Sequence, residues 1–127
     1  MATKAITTPA AKRKMLLARA GKKELPPISQ MVFGTGGITD TREVIEPEEG
    51  QQELRAEIYR KDIGKVEVIN DTQIRYCCTL EENELVGEDI SELALADTEG
   101  DLVVIKNFKA KGKDEYFTMT FKINDTM

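Results

Sequence analysis

The chain has 127 residues, which is the length of one ordinary domain with a single hydrophobic core. Apolar residues make up 40% of it and charged residues 32%, a balance typical of a well-solvated domain or of one with charged interfaces rather than of a disordered chain. No apolar run approaches the roughly 18 residues that cross a bilayer, and none near the N-terminus is long enough for a signal-peptide core, so we expect a protein made in the cytoplasm without a membrane partner.

Charge is distributed unevenly along the chain. Residues 1–23 contain seven Lys or Arg residues and no acid, and because the whole chain carries −5, the remaining 104 residues carry −12. We therefore predict two parts, a basic helical arm over residues 1–23 and a β-rich domain over residues 24–127. A basic arm on an acidic body is expected to bind an acidic surface, on a neighbouring copy, another protein, a nucleic acid or a membrane.

The arm has the sequence signals of one helix. Thr8 can cap its N-terminus, and Pro9 fits the first helical position, where the missing N–H does no harm. The helix is predicted to end at Ala20, because Gly21 favours the left-handed conformation that closes a helix. About twelve residues form a marginal helix in isolation, so the helix must pack on its own body or on a neighbour. The residues that we expect to form a protein interface on this arm are Lys12, Arg13, Leu16, Leu17 and Arg19.

An apolar segment, residues 28–33, follows the arm and leads into a glycine-rich turn. The next stretch, residues 38–53, is acidic and shows no periodicity, so we expect a mobile surface loop there. The glycines assigned to the turn are Gly34, Gly36 and Gly37.

Alternating apolar and polar residues predict strands in the rest of the chain. Leu54, Ala56 and Ile58 would face one side of the first strand, although a helix remains the alternative there, because apolar residues also lie four apart. Two hairpins are predicted next, one over residues 66–80 and the other over residues 90–106.

The last predicted strand, residues 116–123, follows a flexible linker at residues 109–114. Its inward side chains would be Phe117, Met119, Phe121 and Ile123. The run over residues 102–105 is continuously apolar, as in a strand covered on both faces. Together these patterns predict a mainly β fold with an N-terminal helix (α+β), built as a single antiparallel β-sandwich-like domain.

Several features argue against catalysis. The chain has no His, the commonest general base and metal ligand, which excludes Ser-His and Cys-His nucleophile pairs. Cys77 and Cys78 are adjacent and cannot form a disulfide with each other, so we interpret them as one core and one surface residue. Two cysteines without His also argue against a zinc site. We therefore predict no enzyme activity, no catalytic residue, no metal and no cofactor.

Two loops share part of a ligand-binding motif. The glycine-rich turn invites comparison with a phosphate-binding loop, but neither a Lys-Ser/Thr pair nor a third glycine at the required spacing follows it. The turn from Asp97 to Asp101 has acids at alternate positions, as calcium loops do, but it lacks the twelve-residue spacing and the final Glu. Acid pairs such as Glu81-Glu82 lie in polar runs and are expected to be solvated. We interpret both loops as structural turns, with Asp97 and Gly100 in the second.

Residues 28–37 read Ile-Ser-Gln-Met-Val-Phe-Gly-Thr-Gly-Gly, an apolar stretch that ends in a Phe-Gly-x-Gly-Gly turn. Residues 90–103 form a strand that enters an Asp-x-x-Gly turn and leaves as an apolar strand. In their order and spacing, these segments and residues 54–60 resemble the N-terminal domain of phage tail fibre (tail-collar fibre) proteins. The resemblance covers most of residues 5–108, with Ala94 at a position where the family usually has Gly.

The resemblance implies a structural subunit of a phage tail or phage-tail-like particle, trimeric or bound to the baseplate, that fastens a tail fibre to the tail. Its expected partners are other tail or baseplate proteins, a tail fibre and further copies of itself in a trimer, with no small-molecule substrate. Because the chain ends at Met127, where a fibre would continue into a shaft, we expect an attachment or adaptor subunit rather than the fibre itself. Such a subunit would lie in the tail of a phage, a bacteriocin-like particle or a contractile injection particle.

A second hypothesis comes from the charge of the arm. Seven cations could contact several phosphates, so the chain could instead be a small regulatory nucleic-acid-binding module. The arm has no aromatic residue for base stacking, and the rest of the chain is acidic, which favours protein binding over this alternative.

Overall fold

Eight strands and one helix form the part of the chain that the computed structural model describes, residues 5–127. The first four residues of the predicted basic arm lie outside the described residues. In chain order the elements are β1 Ala5–Thr7, α1 Pro9–Arg19, β2 Ile28–Gly34, β3 Glu57–Asp62, β4 Lys65–Asn70, β5 Gln73–Leu80, β6 Asp89–Asp97, β7 Leu102–Gly112 and β8 Met119–Thr126.

The strands form two antiparallel sheets. One sheet has five strands in the order β1-β7-β6-β2-β3, and the other has three in the order β4-β5-β8. Between the sheets, the fully buried Phe33 of β2 meets Phe121 of β8 edge-on, with 5.4 Å between the ring centroids. Burying a side chain of this kind contributes roughly 1.5–3 kcal/mol. The arrangement confirms the predicted mainly β, sandwich-like fold with a helix near the N-terminus.

The central strands of the five-stranded sheet are apolar on both faces. Met31 and Leu95 belong to the core between the sheets, whereas their neighbours Val32 and Ala94 belong to a second cluster on the opposite face. Leu54, from the segment before β3, is buried in this second cluster. Coverage of both faces explains why the strands at the centre of this sheet have continuous apolar runs.

Helix α1 is held against the sheet from its first turn. The Thr8 hydroxyl accepts a hydrogen bond from the Ala11 N–H at 3.2 Å and donates one to the Leu102 carbonyl at 2.5 Å. The predicted helix is confirmed, although it ends at Arg19, one residue early, and Gly21 follows with φ of +73°. Because β1 pairs with β7, the chain is fixed on both sides of the cap. The division into an arm and a β-rich domain stays a prediction.

The two predicted hairpins are confirmed as β4–β5 and β6–β7. The flexible linker predicted for residues 109–114 is wrong, because β7 continues to Gly112 and pairs there with Asp89. Lys113, directly after β7, is buried, and its ammonium donates to two backbone carbonyl groups. Lys109 and Lys111 therefore belong to β7, and Lys113 directly follows it.

The strand predicted around residues 54–58 begins later than expected. β3 starts at Glu57, because the two N–H groups before it donate to the side chain of Glu92 instead of to a neighbouring strand. Leu54 is buried whereas Ile58 is 38% exposed, so the prediction that they share an inward face is wrong. The helix considered as the alternative for this segment is also absent from it.

The burial of Phe117 and of the cysteine pair differs from the prediction. Phe117 is 65% exposed, because β8 begins two residues later, so its predicted inward position is wrong. Cys77 and Cys78 are both buried, which corrects the expectation that one of them lies on the surface. Cys77 lies directly between Lys65 and Lys122 of the neighbouring strands, whose aliphatic chains share its face.

Residues 38–53 contain no helix or named strand, in agreement with the predicted irregular connection. The segment is attached near its middle, because the Ile45 N–H donates to the Gly37 carbonyl at 2.9 Å. The Ile45 carbonyl in turn accepts a hydrogen bond from the side-chain amide of Asn107 at 2.6 Å. Its mobility stays a prediction.

Candidate protein-interaction site

The glycine-rich turn after β2 is tied to β6 by one buried carboxylate. Glu92 is fully buried, and its Oε2 accepts hydrogen bonds from the N–H groups of Gly36 at 2.9 Å and Ala56 at 2.7 Å. Its Oε1 accepts another from the N–H of Arg55 at 2.9 Å. Hydrogen bonds to a charged group contribute about 1.5–3 kcal/mol each. Through these hydrogen bonds, Glu92 connects β6 to the turn and to the residues just before β3.

The backbone N–H groups of Thr35, Gly36 and Gly37 already have acceptors within the protein, so they are not available to a phosphate. The N–H of Gly36 is taken by Glu92, and the N–H of Gly37 donates to the Ser91 hydroxyl at 2.8 Å. A Cβ at Gly37 would collide with the Ser91 carbonyl, and a Cβ at Gly34 would collide with the Glu92 carboxylate. The structure places all three predicted turn glycines in this close contact with β6, which requires residues without side chains.

The acidic turn between β6 and β7 is closed by an internal cation. The buried Asp97 accepts the N–H groups of Glu99 at 2.9 Å and Asp101 at 3.2 Å through Oδ1. Its Oδ2 lies 2.7 Å from Nζ of Lys14, which also lies 2.9 Å from Glu99 and 2.8 Å from Asp101. Gly100 completes the turn with φ of +88°. A lysine thus occupies the centre of the turn, where a calcium ion would have to bind.

Hydrogen bonding in this cluster favours its charged forms. Burial acts to lower the pKa of Lys14, but hydrogen bonds to Asp101, Asp97 and Glu99 outweigh burial and raise that pKa above its usual value. Hydrogen bonds from Lys23 and Lys14 lower the pKa of Glu99 to about 2. Lys14 and Glu99 are therefore ionised at neutral pH, and their attraction fixes α1 to the β6–β7 hairpin.

The role of Lys14 is the main feature that sequence reasoning missed. Lys14 is 5% exposed and lies on the same side of the helix as Ala11, which is 4% exposed. The signal was a lysine among small residues on the packed side of a helix, because its long side chain can reach past them to an acid.

All five side chains predicted to form the interface are exposed on α1. Leu16 is 62% exposed and Leu17 is 37% exposed. Within residues 5–127, no ion pair involves any of the three cations of this set. Two neighbouring leucines and three cations without an acid partner in this range are therefore exposed together on α1. We call this set the α1 outer face: Lys12, Arg13, Leu16, Leu17 and Arg19.

A second ionic group joins β3 to the loop after β5. Glu84 accepts hydrogen bonds from the Tyr59 hydroxyl and the Lys61 ammonium, and the ammonium also donates to the Thr79 carbonyl at 2.7 Å. Burial acts to raise the pKa of Glu84, but the hydrogen bonds from Lys61 and Tyr59 outweigh it and lower that pKa to about 2. Burial raises the pKa of Cys78 to about 11. Both pKa values are thus further from neutral pH than usual. Near pH 7 this makes Glu84 a poor general acid or base and Cys78 a poor nucleophile.

Residues 5–127 contain neither a metal-binding cluster nor a membrane-spanning helix. No group of three or more His, Cys, Asp or Glu side chains in this range is placed to hold a metal ion. The same range contains no helix long and apolar enough to pass through a bilayer.

Comparison with known proteins finds one family. The family model described as phage tail-collar fibre protein, N-terminal, matches residues 1–123, nearly the whole chain. The matched range includes α1, the glycine-rich turn that is hydrogen-bonded to Glu92, and the acidic turn that binds Lys14. No curated protein and no solved structure matches the chain.

Proposed function

Because the chain belongs to the phage tail-collar fibre protein N-terminal family, we propose that it attaches or adapts a tail fibre to the baseplate, with the α1 outer face contacting a neighbouring subunit. Family membership supports a structural role in the tail of the virion and contacts with other tail proteins. The baseplate as the place of attachment, a trimeric assembly and the absence of catalysis are parts of the proposal.

The observation that carries the proposal is that the α1 outer face is exposed on a firmly held helix. Lys14 binds three carboxylates of the β6–β7 turn, and these ion pairs fix the orientation of the helix on the sheet. Thr8 holds the first turn to β7 through its hydroxyl. The outward side chains therefore project from a rigid support, and a partner that binds them orders little additional backbone.

The composition of the α1 outer face indicates the chemistry of the partner. Leu16 and Leu17 can exclude water from the middle of a contact, while the surrounding cations select an acidic surface. The helix is unusual within its own chain, since residues 24–127 carry a net charge of −12. An acidic neighbouring subunit is the partner that fits.

A structural role also agrees with how the buried and partly buried acids are used. Glu92 holds backbone N–H groups, Asp97 holds a turn and Lys14, and Glu84 holds Lys61 and Tyr59. Each of these carboxylates is engaged in maintaining the fold. This supports the part of the proposal that assigns the chain no catalysis.

Particle assembly tests the proposal. A helix variant carries Lys12→Glu, Arg13→Glu and Arg19→Glu, which reverse the charge of the α1 outer face. A matched control reverses the charge at three exposed lysines on β4 and β7 by replacing them with Glu, namely Lys65, Lys109 and Lys111. Both variants should fold with the circular dichroism spectrum of the wild type, and only the helix variant should be lost from purified tails. A helix variant present in tails at the wild-type amount would contradict the proposal.

A further inference from the structure

We propose that the α1 outer face binds the acidic segment, residues 40–53, of a second copy of this chain. The inference rests on the proposed function, because it names the neighbouring subunit that the α1 outer face contacts. The two surfaces that meet are different, so the contact is heterologous, and its repetition gives a closed ring if the rotation between copies closes and an open filament if it does not.

The helix side of the contact has positive charge that its own chain leaves uncompensated. Residues 9–22 contain five Lys or Arg residues and no acid. Within residues 5–127, Lys14 is the member of this set that forms ion pairs, and all of them are with the β6–β7 hairpin. The four other cations are exposed, namely Lys12, Arg13, Arg19 and Lys22.

The acidic segment has the opposite character. It contains six acids and one Arg, a net charge of −5. All six acids are exposed, and no ion pair in residues 5–127 involves them, while Arg42 pairs with Asp89 outside the segment. Acids at this density repel one another, so the segment gains stability when cations approach. The six are Asp40, Glu43, Glu46, Glu48, Glu49 and Glu53.

The acidic segment is presented on an attached backbone. A bridge pairs Val44, within the segment, with Ile38 just before it, and Asn107 donates to the Ile45 carbonyl at 2.6 Å. The segment ends next to Leu54, which is 7% exposed. Both surfaces are thus attached to the sheet before they meet, which lowers the entropic cost of binding.

Charge complementarity favours a second copy as the occupant. The three cations of the α1 outer face and Lys22, which follows the helix, carry +4 against the net charge of −5 on the acidic segment, so the two surfaces would nearly neutralise each other. Within one copy the same charges stay apart, so the chain does not satisfy them itself. Surface ion pairs are individually weak and screened by salt, so the association should depend on several of them and weaken at high ionic strength.

Self-association of the purified full chain tests the contact. A segment variant carries Glu46→Lys, Glu48→Lys and Glu49→Lys, and a swap variant combines these with the three substitutions of the helix variant. Sedimentation at about 0.05 M and about 0.5 M salt should show stronger association of the wild type at the lower concentration. The helix and segment variants should each weaken association by about tenfold or more, and the swap variant should return to within about threefold of the wild type. The Lys65, Lys109 and Lys111 control should associate as the wild type does.

Several results would overturn the inference. They are a monomeric wild type at all concentrations, a segment variant that associates like the wild type, and a folded swap variant that does not regain association. If the helix variant is lost from tails yet self-associates normally, the second-copy contact is wrong and the proposed function stands. If it enters tails normally but no longer self-associates, the proposed function fails and the second-copy contact stands.

Discussion

Lys14 Nζ lies 2.7 Å from Oδ2 of Asp97, and both side chains are almost completely buried. The pair joins α1 to the turn of the β6–β7 hairpin, 83 residues away in the chain. Lys14 thus differs from its neighbours Lys12 and Arg13, which are exposed and form no ion pair within residues 5–127.

Replacing Lys14→Met should destabilise the protein by about 3 kcal/mol, because it leaves the buried charge of Asp97 without its partner. Methionine keeps much of the length and packing of lysine, so the loss reports mainly on the charge. Urea unfolding measures the free energy of unfolding. As a control, Lys12→Met on the exposed side of α1 should change the free energy of unfolding by no more than about 0.5 kcal/mol. Equal stability of the Lys14 and Lys12 variants would show that the buried pair does not fasten the helix.

Much of the fold could be predicted from local patterns, and the errors have a common cause. The β4–β5 hairpin is decided by alternation and by the turn at Asn70-Asp71, both of which are visible in a short stretch of sequence. The start of β3 is decided by Glu92, which lies 36 residues beyond Ala56 and takes its N–H. Alternation over residues 54–58 contains no information about that contact, so it placed Ile58 on the wrong side.

Replacing Glu92→Gln should loosen the glycine-rich turn. The amide keeps one acceptor oxygen but brings an NH2 group toward backbone donors, so at least one buried N–H loses its partner, at a cost of about 1–3 kcal/mol. Hydrogen exchange should accelerate at Gly36, Arg55 and Ala56, whose N–H groups bind this carboxylate. Glu88→Gln, at an exposed position, is the matched control. Unchanged exchange at all three amides would contradict the assigned role.

The exposure of the five side chains on α1 could be predicted from local sequence, whereas the burial of Lys14 could not. The helical period shows which cations share the outward side with Leu16, and exposure on a short amphipathic helix follows from the sequence alone. The pairing of Lys14 with Asp97 depends on how a distant hairpin packs against the helix. Cys77 likewise lies between residues of two neighbouring strands, and each of these contacts requires the assembled sheets.

The protein should not be retained on double-stranded DNA at about 0.15 M salt, because the acidic body repels phosphates and the arm has no aromatic for stacking. Filter binding over a salt series measures this. Retention that falls steeply with salt and is abolished in the helix variant would instead favour the nucleic-acid-binding module. Retention unaffected by the helix variant would place the contact on another surface.

Stability should decrease at acidic pH partly through Glu84. Its pKa is about 2 in the folded protein against 4.5 as the ordinary value, so the unfolded chain takes up the proton first as the pH falls. The contribution of this carboxylate is therefore complete above about pH 4.5 and is lost as the pH approaches about 2. Glu84→Gln should be less stable than the wild type at about pH 5.5, and the difference should shrink by on the order of 2 kcal/mol at about pH 2.5. Urea unfolding across this range measures both proteins.

Titration of Glu99 does not affect this comparison of the wild type with Glu84→Gln. Its pKa is also lowered to about 2, by Lys23 and Lys14, so it titrates in the same range. Because Glu99 is retained in both proteins, its contribution cancels when the two free energies of unfolding are subtracted. A difference between wild type and Glu84→Gln that stays constant with pH would mean that Glu84 stabilises the loop after β5 through hydrogen-bond geometry alone. A difference that shrinks on acidification assigns the stabilisation to the charge that Lys61 and Tyr59 hold on this carboxylate.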